Sequence, residues 1–281
     1  PLSLHDALPI CSLVYTNVTE HVKIGDAPAD FQRLAPSFTV SLQPWQEQLL
    51  FLRLMYKSTF RMPTFNDLYY YRLGNRSLRP EKANEYNMGI TWSRSFSSFL
   101  NYLSVTVDGY YNDVTDKIVA FPTTYAWKMA NYGKVHVTGM DATLAAAASL
   151  GKNMVLVVSG GYTWQKAIDL TDATSKSYKD QLPYTPKHSG NVSAVLEMPW
   201  VNVGYSIVGV SERYSMSQNI PENRIDGYME HTASLSRNFS FRHCKLRLQA
   251  EIINMTDTQY DVIKYYPMPG RSWRLTGTIE F

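Results

Sequence analysis

Aromatic and cationic side chains crowd into the irregular stretches of this chain: Tyr69, Tyr70, Tyr71, Arg72 and Arg76; Tyr125 and Trp127; Arg213 and Tyr214; Arg224; and Tyr265 with Tyr266. Aromatic faces stack on flat ligand surfaces and arginine forks grip acceptor oxygens, so the chemistry on offer is non-covalent capture. Chelates, glycans and cobalamin-like molecules suit these residue types about equally. The same types also pack loops and anchor interfaces, and both readings stay open. Catalysis has little to stand on. The six histidines (His5, His21, His136, His188, His231, His243) do not fall at metal-ligand spacings, and no nucleophile elbow, zinc-protease helix or phosphate-binding loop occurs. We expect no enzyme, no metal site and no cofactor.

The segments that must position those residues read as strands. The chain has 281 residues, 44% hydrophobic and 13% aromatic, and its 18% charged residues fall below the roughly 25% of ordinary globular proteins. A formal net charge of +3, evenly spread, points away from a nucleic-acid partner. Cys11 and Cys244 are too far apart for a CxxC motif. No stretch of about twenty apolar residues is present, so strands are the only way for this chain to cross a bilayer. A signal peptide pattern is also missing at the start, which for an exported protein places the true beginning upstream. Pro1–Ile10 fits no strand, cap or signal pattern and reads as a non-native leader, leaving 11–281 as the folded portion.

From Leu13 on, about twelve segments alternate apolar and polar residues with a period of two, the weak per-segment signature of transmembrane strands. Leu13–Ile24 is a plausible first strand. Ser37–Gln43, Gln48–Ser58, Asn84–Ser95, Tyr102–Val114, Met154–Trp164, His188–Met198, Val201–Val210, Gly227–Ser240 and Cys244–Met255 follow. In Asn131–Leu150 the phase is uncertain around Gly139 and the alanine run. The last, Gly270–Phe281, sets Trp273, Leu275, Gly277, Ile279 and Phe281 against Ser272, Arg274, Thr276, Thr278 and Glu280. Long links, Thr115–Ala130 among them, alternate strictly with short turns, the asymmetry of an up-and-down outer-membrane barrel. Trp92, Phe96, Phe99, Trp164, Trp200, Tyr265, Tyr266, Trp273 and Phe281 sit near strand ends, as interfacial girdles require. Inward polar residues such as Asp108, Asn112, Arg247, Glu251 and Arg274 would solvate the lumen or pair with a domain inside it. The fold class is therefore all-β, a transmembrane antiparallel barrel present in part.

Three stretches resemble the TonB-dependent outer-membrane receptors. Phe60–Ile90 is similar to a mid-barrel signature through Arg61, Pro63, Gly74, Asn75, Pro80, Glu81 and their neighbours. Leu182–Asn191 resembles a strand-entry motif, and Asn254–Phe281 a C-terminal pattern that includes Pro269, Gly270, Arg271 and Phe281. Without the family, Gly, Pro and Asn at these places solve backbone problems, so the motif residues also read as folding punctuation.

The resemblance implies outer-membrane import of a scarce ligand (a siderophore, cobalamin, metal chelate or glycan) held by extracellular loops and a plug, and energised by TonB. The C-terminal strand would engage the barrel-assembly machinery, and membrane lipid would surround the wall. Family barrels have about 22 strands around a plugged lumen, so this chain reads as the C-terminal part, without the plug and TonB-contact segment. Open edges would leave on the order of ten backbone groups unpaired at several kcal/mol each in lipid. Either further strands supply the partners or the two edges close a smaller barrel. A passive porin-like channel and a secreted all-β binding module are the competing classes.

Overall fold

The structure is a computed structural model, and it describes residues 7–19, 21, 23, 30–45, 48–97, 99–122, 125–151, 153–242 and 244–280. Twelve strands form one sheet in strict chain order, each antiparallel to the next. They are β1 (Ala7–Val18), β2 (Phe31–Leu42), β3 (Leu49–Arg61), β4 (Glu81–Ser95), β5 (Leu100–Pro122), β6 (Trp127–Gly151), β7 (Met154–Asp169), β8 (His188–Glu197), β9 (Asn202–Val210), β10 (Tyr228–Ser240), β11 (Lys245–Ile253) and β12 (Ser272–Glu280). Among the described residues β1 pairs only with β2 and β12 only with β11, so the wall is a partial barrel.

The register sorts the side chains into two faces. Across β3 to β7 one row runs Leu54, Met88, Gly109, Met140 and Trp164, and the next runs Leu52, Ile90, Val107, Ala142 and Tyr162. The same face continues through Val192, Ile207, Leu235, Leu248 and Leu275. This face is apolar and open, with Leu275 86% exposed and Met88 67% exposed. The opposite face carries Arg53, Asn87, Thr91, Asp108, Asn112, Asp141, Thr163, Asn191, Ser234, Glu251 and Arg274. A soluble sheet buries its apolar face, whereas here the large apolar residues are outside and most of the polar ones are half-buried. An exposed apolar surface spanning every strand is stable only against hydrocarbon.

Apart from Ala148, the described residues that are buried and apolar lie at the long-loop end. Ala83, Val114, Val135, Val137 and Ala167 line the inner face there and are capped by Leu182. Leu68 and Leu78, from the segment around helix α1 (Phe65–Tyr69), pack on Ile118. That packing explains the first departure from expectation. The long link at Thr115–Ala130 is mostly strand, because β5 and β6 stay paired up to Pro122 and Trp127. At 23 and 25 residues, these strands exceed the roughly 9–11 that cross a membrane. Their outer halves stand clear of the bilayer as a hairpin with its own small core.

Two further readings change. Ala7–Ile10 were expected outside any strand, yet they pair with Leu42, Ser41, Val40 and Thr39 in β1, which ends at Val18 rather than Ile24. Both faces of that stretch are apolar, which hid its strand character from an alternation test. Pro1–Asp6 lie outside the described residues. The uncertain phase at Gly139 resolves with Gly139 on the inner face opposite Tyr110. A Cβ there would come within 2.3 Å of the Tyr110 ring, so the glycine leaves room for the phenol.

The girdles fall at both ends of the outer face. Trp92, Phe99 and Trp200 mark the short-turn end, and Trp164 and Trp273 the long-loop end, while Tyr265 and Tyr266 belong to a loop hairpin above it. The expected girdle residue Phe281 lies outside the described residues.

The two faces predict opposite tolerance. Met88→Arg, on the outer face, is expected to destabilise the barrel by about 2–4 kcal/mol near the midplane, and Asn87→Arg, one residue away on the lumen face, to have little effect. Urea unfolding followed by heat-modifiable migration measures both; equal losses would refute the assignment of faces.

Candidate ligand-binding mouth

At the long-loop end three connections fold over the inner face: residues 62–80, 170–187 and 211–227, joined by a fourth at 254–271. The first is built by the signature stretch. Thr64 caps helix α1 and forms a reciprocal capping box with Asp67. Asn75 donates to the Asp67 carbonyl through its backbone N–H at 2.8 Å and to the Met129 carbonyl through Nδ2 at 3.1 Å. Gly74 sits so close to Leu68 that a Cβ would meet its carbonyl oxygen at 2.7 Å. Arg61 donates to the Ile118 carbonyl at 3.0 Å and pairs with Asp67 and Glu81, and Glu81 also accepts the Ile118 N–H at 2.9 Å. Arg61, Gly74, Asn75 and Glu81 thus brace the loop against the β5–β6 hairpin. Pro63 stands between Arg61 and the capping residue Thr64, and Pro80 directly before β4.

The C-terminal pattern closes its loop in the same way. Asn254 is 0% exposed; its Nδ2 donates to the Thr258 and Pro269 carbonyls, and its Oδ1 accepts the Thr258 N–H. Asp257 accepts the Arg271 N–H at 2.8 Å, and a Cβ on Gly270 would lie 2.6 Å from that carboxylate. A glycine is needed here to let the carboxylate approach.

Between these braces lies an aromatic and cationic cluster. Arg213 is 4% exposed. Its Nη2 donates to the Asp261 and Val262 carbonyls at 2.6 and 3.0 Å, and its guanidinium lies 5.8 Å from the Tyr228 ring centre. Tyr228 stacks on Tyr260 at 3.9 Å, and Tyr260 donates to Glu230 at 2.5 Å. Burial, then the hydrogen bond to Glu230, pushes the Tyr260 phenol well above its ordinary value. Tyr184 lies 5.8 Å from Trp127, its N–H donates to the Tyr214 carbonyl at 2.7 Å, and burial raises its phenol as well. Lys264 donates to the Glu222 carbonyl, tying the third and fourth connections.

The candidate residues chosen from sequence therefore divide. Tyr70, Tyr71, Tyr125, Tyr265 and Tyr266 are open to solvent, Tyr125 at 97% exposure. Arg72 and Arg76 lie over the Tyr71 and Tyr69 rings, each at 5.2 Å. Arg224 faces Glu212 and Asp226 on the surface. Trp127 and Tyr214 are drawn together through Tyr184, and Arg213 is an internal clasp rather than a surface contact. Sequence reasoning missed Tyr184, Tyr228, Glu230, Tyr260 and Lys264, because the partners come from different connections and no spacing rule links them. Tyr184, Tyr260 and Lys264 stand inside stretches recognised as motifs, Leu182–Asn191 and Asn254–Phe281, whereas Tyr228 and Glu230 do not.

Below the mouth the inner face is polar. Arg53, Gly89, Asp108, Asp141 and Thr163 lie in one register row. Arg53 reaches across Gly89 to Asp108 at 2.9 Å, where a Cβ would be 2.0 Å from the carboxylate oxygen. Thr163 donates to Asp141 at 2.7 Å. Beside it a cavity of about 680 Å³, lined by Asp141, Thr163, Ser189 and Asn191, opens on the lumen.

An antiparallel up-and-down wall with an apolar outer face, a polar lumen and braced outer loops defines the class of transmembrane β-barrels of the Gram-negative outer membrane. Residues 14–255 match the family described as "TonB dependent receptor-like, beta-barrel", and the chain belongs to that family. It is 25% identical over 230 residues to the vitamin B12 transporter BtuB of Photobacterium profundum, an alignment that covers 79% of this chain and 34% of that protein. Among solved structures it resembles BauA, the ferric preacinetobactin receptor of Acinetobacter baumannii, with a TM-score of 0.72, 12% identity and coverage of 99% of this chain and 41% of that one. It also resembles the siderophore receptor PiuA of the same species, with a TM-score of 0.69, 18% identity and coverage of 98% and 41%. The chain thus spans about a third of the BtuB relative, and these relatives are transporters and receptors rather than enzymes.

Tyr260→Phe removes the donor to Glu230 and is expected to loosen the 254–271 connection, seen as faster proteolysis there with the barrel intact. Raising the pH should do the same to the unaltered protein. A phenol held above its ordinary value of 10.0 contributes fully below that value, and its contribution fades as pH climbs from there toward the raised one. Unchanged cleavage in both cases would show that the clasp does not hold the loop.

Proposed function

We propose that this chain is the barrel wall and outer mouth of an active-transport receptor that imports a scarce ligand in the class of siderophores, cobalamins, metal chelates or glycans. The observation that carries the proposal is the braced mouth: buried polar clasps fix three connections over a polar lumen and leave aromatic rings projecting from them. Rigid scaffolding under exposed rings is what capture requires, because the ordering cost is met before the ligand arrives. In this reading Tyr70, Tyr71, Tyr125, Tyr265 and Tyr266 make the first contacts, helped by Arg72, Arg76 and Arg224, while Trp127, Tyr214 and Arg213 hold the loops that present them. Family membership supports energisation by TonB through a plug segment, and in the same reading the C-terminal strand docks on the barrel-assembly machinery.

Cells carrying the gene are expected to take up a labelled cobalamin or ferric siderophore from a panel, and deletion of TonB is expected to abolish that uptake. Uptake that survives the deletion would overturn active transport in favour of a passive channel. For the ligand so found, truncating Tyr71 and Tyr265 together to alanine should weaken binding by roughly tenfold or more, since aromatic anchors at such sites carry about 2 kcal/mol or more. Unchanged affinity would place the contact elsewhere.

A further inference from the structure

On the outer face, three tyrosine hydroxyls bond to histidine rings, each across a hairpin that opens toward the long loops: Tyr111 to His136 at 3.2 Å, Tyr162 to His188 at 2.7 Å and Tyr205 to His231 at 2.7 Å. In every pair the tyrosine is on the strand rising toward the long-loop end and the histidine is on the returning strand, nearer that end. The pairs are not level in register. Tyr111 is in line with Lys166 through Thr138, yet the β7 tyrosine is Tyr162; Tyr162 is in line with Gly209 through Gly190, yet the β9 tyrosine is Tyr205. Each step moves toward the short-turn end. Strands about 4.8 Å apart and tilted by about 35–45° keep one membrane depth with a step of roughly two to three residues over two strands, so the four-residue steps here follow the tilt only in part. Register fixes the depth of the middle pair at the interface of the outer leaflet, since His188 is level with Trp164 of the long-loop girdle.

Beside the middle pair the wall is hollow. Gly190 and Gly209 face each other in register and leave an apolar groove of about 470 Å³, bounded by Val192 and Ile207 toward the membrane centre, Met229 on one side and His188 at the headgroup end. The Tyr162 hydroxyl occupies His188 Nδ1, and Nε2 has no partner among the described residues.

We propose that this groove is a specific lipid site: an acyl chain of a phosphorylated outer-leaflet lipid lies over Gly190 and Gly209, and its phosphate accepts a hydrogen bond from His188 Nε2–H. The occupant follows from position. The groove continues the hydrocarbon-facing surface, and its headgroup end carries a nitrogen donor. With Nδ1 engaged by Tyr162, the imidazole presents its other nitrogen outward, and a hydrogen bond to a charged phosphate is stronger than one to a neutral group.

The test uses the full-length receptor extracted in mild detergent, with folding of every variant checked by heat-modifiable migration. Dioleoyl phosphatidic acid and dioleoylglycerol are added and retention is read by native mass spectrometry. The unaltered protein should retain the phosphorylated lipid roughly tenfold better. Gly209→Leu fills the groove without backbone strain, since a Cβ there meets only Met229 at 3.7 Å, and should lose both lipids. Val192→Trp, which fills it from the membrane-centre end, should do the same if the first variant fails to fold. His188→Phe should keep the chain but lose the preference for phosphate. Retention that survives filling of the groove, or a phosphate preference that survives His188→Phe, would overturn the assignment.

Discussion

Hydrocarbon offers no hydrogen bonds, so every backbone amide and carbonyl inside it must find a partner in the chain. The rest of the structure depends on that constraint. It makes the sheet a strict meander, because consecutive antiparallel strands satisfy each other through short turns at one end. It also inverts the usual amphiphile: with backbone polarity already satisfied, side chains sort only by face, and Leu54, Met88 and Leu275 turn outward while Arg53, Asp108 and Arg274 turn inward.

At the mouth the constraint relaxes, and a different physics takes over. The connections have no regular ladder, so their polar groups are satisfied by side chains used as clasps: buried Asn254 for the last connection, buried Gln181 for the second, and half-buried Asn75 with the more exposed Arg61 for the first. Gln181 is buried, accepts the Ala167 N–H and donates to the Gln165 and Thr185 carbonyls. Such groups carry a large penalty when left unpaired, which fixes the loops more firmly than packing alone would. Glycine marks the closest approaches, at Gly74 against the Leu68 carbonyl and Gly270 against the Asp257 carboxylate. The exposed tyrosines are thereby held on a rigid rim.

Arg213 shows how far residue type can mislead. A loop arginine beside a tyrosine suggests a ligand contact, yet the side chain is buried, bound to two carbonyls of a distant connection and laid near Tyr228. The hairpin of β5 and β6 shows the converse. Its outer half reads as a link because Lys117, Thr123, Thr124 and Lys128 interrupt the apolar alternation, but Leu68 and Leu78 cover Ile118 from a separate segment.

The sequence by itself determined the class of fold, the approximate number of wall strands and, for most of them, which face meets lipid, because a period of two is a local property; β6, with its phase open around Gly139, and the start of β1, apolar on both faces, needed their paired neighbours. The alternation of long and short connections was local too, and it set which end is the mouth. Only the tertiary structure decided which loop residues meet. Tyr184 with Trp127, Tyr228 with Tyr260 and Glu230, and the three tyrosine–histidine pairs join segments whose distance in space depends on register, strand tilt and loop closure. Those quantities are set by the whole wall at once, and no single stretch of residues encodes them.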